Sequence, residues 1–143
     1  QFMKNGASTL NQQIPGEIKA LEKFPNFSYK RFGTGDWYAK GKNDDIHKKK
    51  VEEAFNYLAY IIKNTDYDIL IADEILYAVQ LGLLDKNKVI KLIKEKPKNK
   101  ELILTGSHKP LQEIFDITDL VTEVKKIKHQ YDKGISARQG IEY

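Results

Sequence analysis

The stretch Asp68-Ile69-Leu70-Ile71-Ala72-Asp73-Glu74 decides the fold of this chain. Its apolar run has no polar alternation, which predicts a strand covered on both faces, as in a parallel sheet. Two carboxylates, Asp73 and Glu74, close the strand. Such an acidic end either binds a hard cation or caps the helix that follows. The strand pattern alone leaves both interpretations open.

Helix and strand periods alternate on both sides of this stretch. The predicted elements are a strand tail at 1–4, a loop at 5–15, a short helix at 17–23, a half-exposed strand at 27–32, a helix at 45–64, a short helix through 77–79, a helix capped by Asp85 that ends before Pro97, a strand at 101–106, a helix at 111–115 and a strand at 120–124. This order predicts an α/β domain with a mostly parallel sheet and helices on both faces.

Length and composition predict one domain spanning residues 1–143, with 41% hydrophobic and 31% charged residues. The chain has no cysteine, which excludes disulfides and thiolate chemistry, and its apolar blocks are too short to span a membrane. We therefore predict a cytoplasmic protein.

The net charge of +4 comes from basic residues that alternate with acidic ones, so we expect no nucleic-acid partner. The lysines at 48–50 and between 94 and 100, together with His47 and His108, are predicted to face solvent.

A second polar strand end follows residues 101–104. Thr105-Gly106-Ser107 offers hydroxyl groups and a glycine where a polyphosphate could approach the backbone, although a plain turn explains it equally well. Because parallel strands end at the same sheet edge, Thr105 and Gly106 should lie beside Asp73 and Glu74. That edge is the predicted ligand site, with magnesium and a nucleotide as its ligands.

The C-terminal segment carries the most specific pattern in the chain. It reads Lys128-His129-x-Tyr131-x-x-Gly134-x-x-Ala137-x-x-Gly140-Ile141-Glu142-Tyr143. Together with Gln1-Phe2-Met3-Lys4, Asp73-Glu74, Thr105-Gly106 and Thr122-Glu123, this ending strongly resembles the P-loop corrinoid adenosyltransferases, and the resemblance covers nearly the whole chain.

The resemblance implies a P-loop NTPase (RecA-like) fold and an enzyme of cobalamin biosynthesis. Such an enzyme transfers the 5′-deoxyadenosyl group of ATP to the cobalt of cob(I)alamin and releases triphosphate. It implies ATP, Mg²⁺ and cobalamin as ligands, a homodimer, and a flavoprotein as electron donor. The reduced cobalt is the nucleophile, so the protein supplies positioning and charge neutralisation rather than a side-chain nucleophile.

The candidate site residues fall into three groups. They are Asp73 and Glu74 for magnesium; Thr105, Gly106 and Arg138 for ATP; and Trp37, Tyr38 and His129 for the corrinoid. Three further candidates have structural alternatives. Arg138 has a phosphate-binding fork but also a partner for an ion pair four residues on, at Glu142. His129 is favoured as a hydrogen-bonding structural residue, and Trp37 has a packing or lid role as its alternative.

The chain departs from the family pattern in its phosphate contacts. Gly-x-x-x-x-Gly-Lys-Ser/Thr is absent from it, and Ser107 stands where the family commonly has a basic residue. We expect this chain to be an N-terminally incomplete piece of a longer protein. The first strand, the phosphate loop and the first helix would lie in the part of that protein that precedes this piece. The runner-up is a non-catalytic corrinoid-binding relative that has lost its phosphate loop. A third hypothesis, a RecA-like protein that binds nucleotides or nucleic acid, has no supporting motif in the sequence.

Overall fold

The computed structural model describes residues 16–33, 38–39, 41, 44–138 and 141. Its elements are α1 (Gly16–Leu21), α2 (Asp44–Asn64), β1 (Ile69–Ala72), α3 (Ile75–Gln80), α4 (Lys86–Glu95), β2 (Glu101–Leu104), α5 (Gln112–Phe115) and a 3₁₀ helix (Gln130–Lys133). This order confirms the predicted α/β class. The strand tail predicted at 1–4 and the loop at 5–15 lie outside the described residues.

Helix α2 forms because its apolar residues recur at helical spacing and give it one buried face. The face comprises Val51, Ala54, Phe55, Leu58 and Ile62, all buried. Asp44 and Asp45 occupy the first turn, where negative charge interacts favourably with the helix dipole. The buried face joins one hydrophobic core with residues of β1, α3, α4 and α5.

The two strands pair in parallel, as the run at 68–74 predicted. Ile69 is opposite Glu101 and Ala72 is opposite Leu104. Helices α3 and α4 lie between the strands in sequence, as the crossover of a parallel pair requires. The pairing places both strand ends, and the polar residues after them, at one edge of the sheet.

The expectation of helices on both faces holds for one face among the described residues. Leu70 and Ala72 are buried in the core, whereas Ile69 and Ile71 are 57% and 49% exposed. The apolar run correctly indicated a strand. It did not indicate how many layers of this chain would cover that strand, because coverage depends on where other elements pack.

Two predicted strands do not form. Residues 120–124 are irregular and exposed, with Leu120 at 82% and Val124 at 91%. Residues 27–32 are also irregular, and side-chain contacts hold them in place: Ser28 Oγ lies 2.7 Å from the Tyr67 hydroxyl, and Lys30 Nζ lies 4.0 Å from the Tyr57 ring centroid. Strand propensity needs a neighbouring strand to satisfy the backbone, and neither segment pairs within the described sheet.

Lys100 and His47 are buried, contrary to the prediction that they face solvent. The ammonium group of Lys100 donates to the carbonyl oxygens of Thr65 and Tyr67, so a buried charge joins the loop before β1 to the start of β2. The apolar stem of a lysine can be buried when its charged end finds acceptors. Nothing in the sequence near Lys100 indicated those acceptors.

Within the described ranges, no helix is both long enough and apolar enough to cross a membrane.

Candidate functional site

The candidate site lies where β1 and β2 end side by side. Asp73 and Glu74 follow β1, and Thr105 and Gly106 follow β2. The ladder continues one step beyond the paired residues, because the backbone N–H of Thr105 donates to the carbonyl oxygen of Ala72 at 3.2 Å. The predicted meeting of the two strand ends is therefore observed.

Thr105 joins the two acidic residues through one hydroxyl group. This hydroxyl donates to Oδ1 of Asp73 at 2.7 Å, and it accepts from the backbone N–H of Glu74 at 2.9 Å. The carbonyl oxygen of Thr105 also accepts from the backbone N–H of Leu76 at 3.1 Å, in the first turn of α3. The acidic pair is thus fixed against β2 as well as against its own strand.

Glu74 has an uncommon backbone conformation. Its φ of 64° and ψ of 12° lie in the left-handed region, which costs a non-glycine residue about 1–2 kcal/mol. Glu74 is the N-cap residue of α3, yet its carboxylate makes no capping hydrogen bond. Glu74 therefore occupies the capping position without the side-chain hydrogen bond that a capping acid usually makes.

Gly106 is required by close packing against α3. Its φ is 97°, and a Cβ atom there would lie 3.0 Å from the backbone nitrogen of Tyr77 and 3.1 Å from Cα of Glu74. A larger residue would push the end of β2 away from the acidic pair. The glycine therefore keeps the two strand ends close together, whatever ligand binds there.

The loop after Gly106 is held by two residues of α3 that sequence reasoning did not single out. Oε1 of Gln80 accepts from the backbone N–H of His108 at 2.6 Å and from the Ser107 hydroxyl at 3.3 Å. The Tyr77 and His108 rings meet edge to face with centroids 5.1 Å apart. Gln80 carries no distinctive sequence signal, because a glutamine near the end of a short helix usually faces water.

The acidic pair offers donors that suit magnesium. Mg²⁺ prefers oxygen ligands and typically binds one or two carboxylates together with substrate phosphates. Asp73 and Glu74 are both half-buried, and the hydrogen bond described for Asp73 uses only Oδ1. In the described part of the chain no group of three or more His, Cys, Asp or Glu could hold a metal alone. The two carboxylates of Asp73 and Glu74 fit the donor set of a magnesium ion that also binds substrate phosphates.

Tyr38 is half-buried. It lies against the core, and its ring meets that of His47 edge to face at 5.3 Å. Partial burial and the nearby carboxylate of Asp44 raise the pKa of the Tyr38 phenol above its usual value. The phenol therefore stays protonated at neutral pH. Trp37 lies outside the described residues.

His129 and Arg138 make local contacts in the exposed C-terminal segment. Nδ1 of His129 accepts from the backbone N–H of Tyr131 at 3.1 Å and so caps the 3₁₀ helix, which is the structural role favoured for it. The guanidinium of Arg138 donates to Oε1 of Gln130 at 2.9 Å. Glu142, the alternative partner of Arg138, lies outside the described residues.

Comparison with known sequences identifies the family. The family described as "ATP:corrinoid adenosyltransferase BtuR/CobO/CobP" matches residues 1–143, the whole chain. The chain belongs to the corrinoid adenosyltransferase family.

Several curated relatives carry the name corrinoid adenosyltransferase. The chain is 30% identical to the Pseudomonas aeruginosa protein over 145 residues, covering 100% of this chain and 67% of the relative. It is 28% identical to the Sinorhizobium protein, covering 100% of this chain and 64% of that relative, and 28% identical to the Escherichia coli K12 protein, covering 90% and 64%. The chain therefore spans about two thirds of the length of these relatives.

In this member of the corrinoid adenosyltransferase family, the predicted site residues that the structure describes fall into two sets. Asp73, Glu74, Thr105 and Gly106 meet at the sheet edge through the contacts given above. The contacts described for the other set are local: Tyr38 with His47, His129 with Tyr131 and Arg138 with Gln130.

Proposed function

We propose that the protein carrying this chain transfers the 5′-deoxyadenosyl group of ATP to the cobalt of cob(I)alamin and releases triphosphate. Membership of the corrinoid adenosyltransferase family supports the reaction class. The acidic pair tied together by Thr105 is the single observation that supports a nucleotide site in this chain. The proposed fold type is that of the P-loop NTPases.

The chemistry needs no nucleophilic side chain. The cobalt of the reduced corrinoid donates an electron pair to C5′ of ATP, a cobalt–carbon bond forms, and the C5′–oxygen bond breaks as triphosphate leaves with that bond's electrons. The protein contributes by holding the reacting atoms in line and by stabilising negative charge on the leaving group.

Asp73 and Glu74 are the residues proposed to hold magnesium. A magnesium ion bound there would neutralise charge on the triphosphate. Gly106 keeps the end of β2 close to the acidic pair, and its lack of a side chain would let a polyphosphate approach the backbone there. Arg138 is proposed as a phosphate contact, because its planar fork matches two phosphate oxygens.

Trp37, Tyr38 and His129 are the proposed corrinoid contacts. Tyr38 supports this role through its half-buried ring and its protonated phenol, which combine an apolar face with a polar end. The proposal further includes a cytoplasmic homodimer and a flavoprotein that reduces the corrinoid.

Adenosyl transfer can be measured directly by absorbance. The protein, expressed from its complete coding sequence, is mixed with MgATP and chemically reduced cob(I)alamin, and formation of adenosylcobalamin is followed. We expect turnover that stops when magnesium is chelated. Corrinoid binding without transfer, at high protein concentration, would contradict the proposal and favour the non-catalytic corrinoid-binding relative. Calorimetry with the corrinoid alone distinguishes that case from a protein that binds neither ligand.

A further inference from the structure

The hydroxyl of Thr105 has no proton left for a phosphate oxygen. A threonine hydroxyl has one hydrogen to donate and two lone pairs that accept. The hydrogen is directed at Oδ1 of Asp73, and one lone pair accepts from the backbone N–H of Glu74. The remaining lone pair can only face a donor or a cation, and phosphate oxygens are acceptors. Direct binding of triphosphate by this side chain therefore requires breaking its bond to Asp73.

The two contacts of the hydroxyl affect the acids in different ways. The bond to Oδ1 orients the Asp73 carboxylate at 2.7 Å and leaves its second oxygen for another partner. The bond from the Glu74 N–H, at 2.9 Å, supports a residue whose φ is 64°. An uncommon backbone conformation persists where the surrounding structure over-determines it, and such conformations cluster at functional sites.

The backbone of Thr105 is hydrogen-bonded to the residues that flank the acidic pair. Its N–H donates to Ala72 and its carbonyl oxygen accepts from Leu76, on either side of the acidic pair. The position of the hydroxyl is consequently fixed relative to both acids.

We propose that Thr105 is a positioning residue of the nucleotide site, whose hydroxyl holds Asp73 and Glu74 in place for magnesium without contacting the triphosphate. This inference rests on the proposed function, and it reassigns the ATP-binding role predicted for Thr105. Partners that orient the ligands of a metal usually affect its affinity strongly, and losing one costs roughly 10- to 100-fold.

The test compares Thr105→Val, which removes the hydroxyl at nearly constant shape, with Thr105→Ser, which retains it. Calorimetry on the protein expressed from its complete coding sequence measures ATP binding with and without Mg²⁺. We expect Thr105→Val to weaken the magnesium-dependent part of ATP binding by roughly 10-fold or more, and Thr105→Ser to restore it. ATP binding without metal should be unchanged in both variants.

A second measurement needs no ligand. Amide hydrogen exchange at Glu74 should be faster in the native state of Thr105→Val and close to the parent in Thr105→Ser, because only valine lacks the acceptor for that N–H. If Thr105→Val does not fold, Thr105→Ala is compared with Thr105→Ser in the same way. A purely structural role would lower stability without separating metal-dependent from metal-free binding.

The outcomes distinguish this inference from the proposed function. Equal weakening of ATP binding with and without Mg²⁺ would indicate direct phosphate contact, or a purely structural role if stability falls as well, and either result would overturn the positioning role. Unchanged magnesium-dependent binding in Thr105→Val would also overturn it while leaving adenosyl transfer standing. A parent protein that fails to bind MgATP overturns the proposed function itself, and the assignment of Thr105 to a magnesium site fails with it.

Discussion

At the scale of single residues, the site depends on four neighbours that constrain one another. Thr105 bonds to Asp73 and to the backbone of Glu74, and Gly106 packs under Glu74 and Tyr77. These contacts join the end of β1 to the end of β2, and their partners are about 30 positions apart in sequence. A substitution at any one of them is therefore expected to alter the acidic pair as a unit.

Glu74→Gln should reduce adenosyl transfer by at least about 10-fold while the corrinoid dissociation constant stays unchanged, because the substitution removes one proposed magnesium ligand and keeps the side chain's size. Steady-state kinetics and corrinoid titration measure the two effects. The matched control is Glu101→Gln, which removes an exposed acid at the start of β2. An equal loss of transfer and of corrinoid binding would contradict the role of Glu74.

Gly106→Ala should destabilise the protein more than Gly82→Ala. Both glycines have positive φ, 97° and 73°, so both substitutions introduce strain of about 1–2 kcal/mol. Only at Gly106 does the added Cβ meet backbone atoms, at 3.0 Å and 3.1 Å, whereas nothing lies within 4 Å at Gly82. Urea unfolding measures the difference. Equal free energies of unfolding would show that the strand end can shift without cost.

At the scale of elements, local sequence signals predicted whether a segment is a helix or a strand better than they predicted which segments pair. The apolar period of α2 and the boundaries of α4 are close to the predictions, because periodicity and capping act within a few residues. The segment 120–124 has a strand composition and yet forms no strand, because pairing is a property of two segments. Gln80 shows the reverse case, in which an unremarkable residue of α3 holds the loop after β2.

Asp85→Ala should lower the free energy of unfolding by about 1 kcal/mol, because Oδ1 of Asp85 accepts the backbone N–H of Asn87 at 2.9 Å and caps α4. The measurement is urea unfolding, with a lower midpoint and an unchanged slope. Asp85→Asn is the control, since asparagine caps helices about as well as aspartate. A similar loss for both variants would assign the effect to charge rather than to the cap.

At the scale of the whole molecule, one hydrophobic core joins helices α2, α3, α4 and α5 to one face of the sheet. Leu70 and Ala72 belong to this core, while Ile69, Ile71 and Ile103 are exposed at 57%, 49% and 45%. The stability of the described chain therefore depends mainly on helix-to-sheet packing on one side. The site lies at the edge of this sheet, so loss of the core should remove the site as well.

Ile62→Ala should lower the free energy of unfolding by about 2–5 kcal/mol, because Ile62 is fully buried in this core and its truncation leaves a cavity. Ile46→Ala is the control on the same helix, where the side chain is 53% exposed and the change should stay within about 0.5 kcal/mol. Thermal and urea unfolding measure both variants. Comparable losses would show that α2 does not pack as described.

The sequence by itself determined the α/β class, the parallel strand at 69–72, the capped helix after Asp85 and the meeting of two polar strand ends. These features follow from periodicity, from capping and from the rule that parallel strands end at one edge. Only the tertiary structure decided the Thr105 bridge, the left-handed Glu74, and the burial of Lys100 and His47. Such contacts join residues as far apart as Lys100 and Thr65, 35 positions in sequence, and their geometry exists only once the elements have packed.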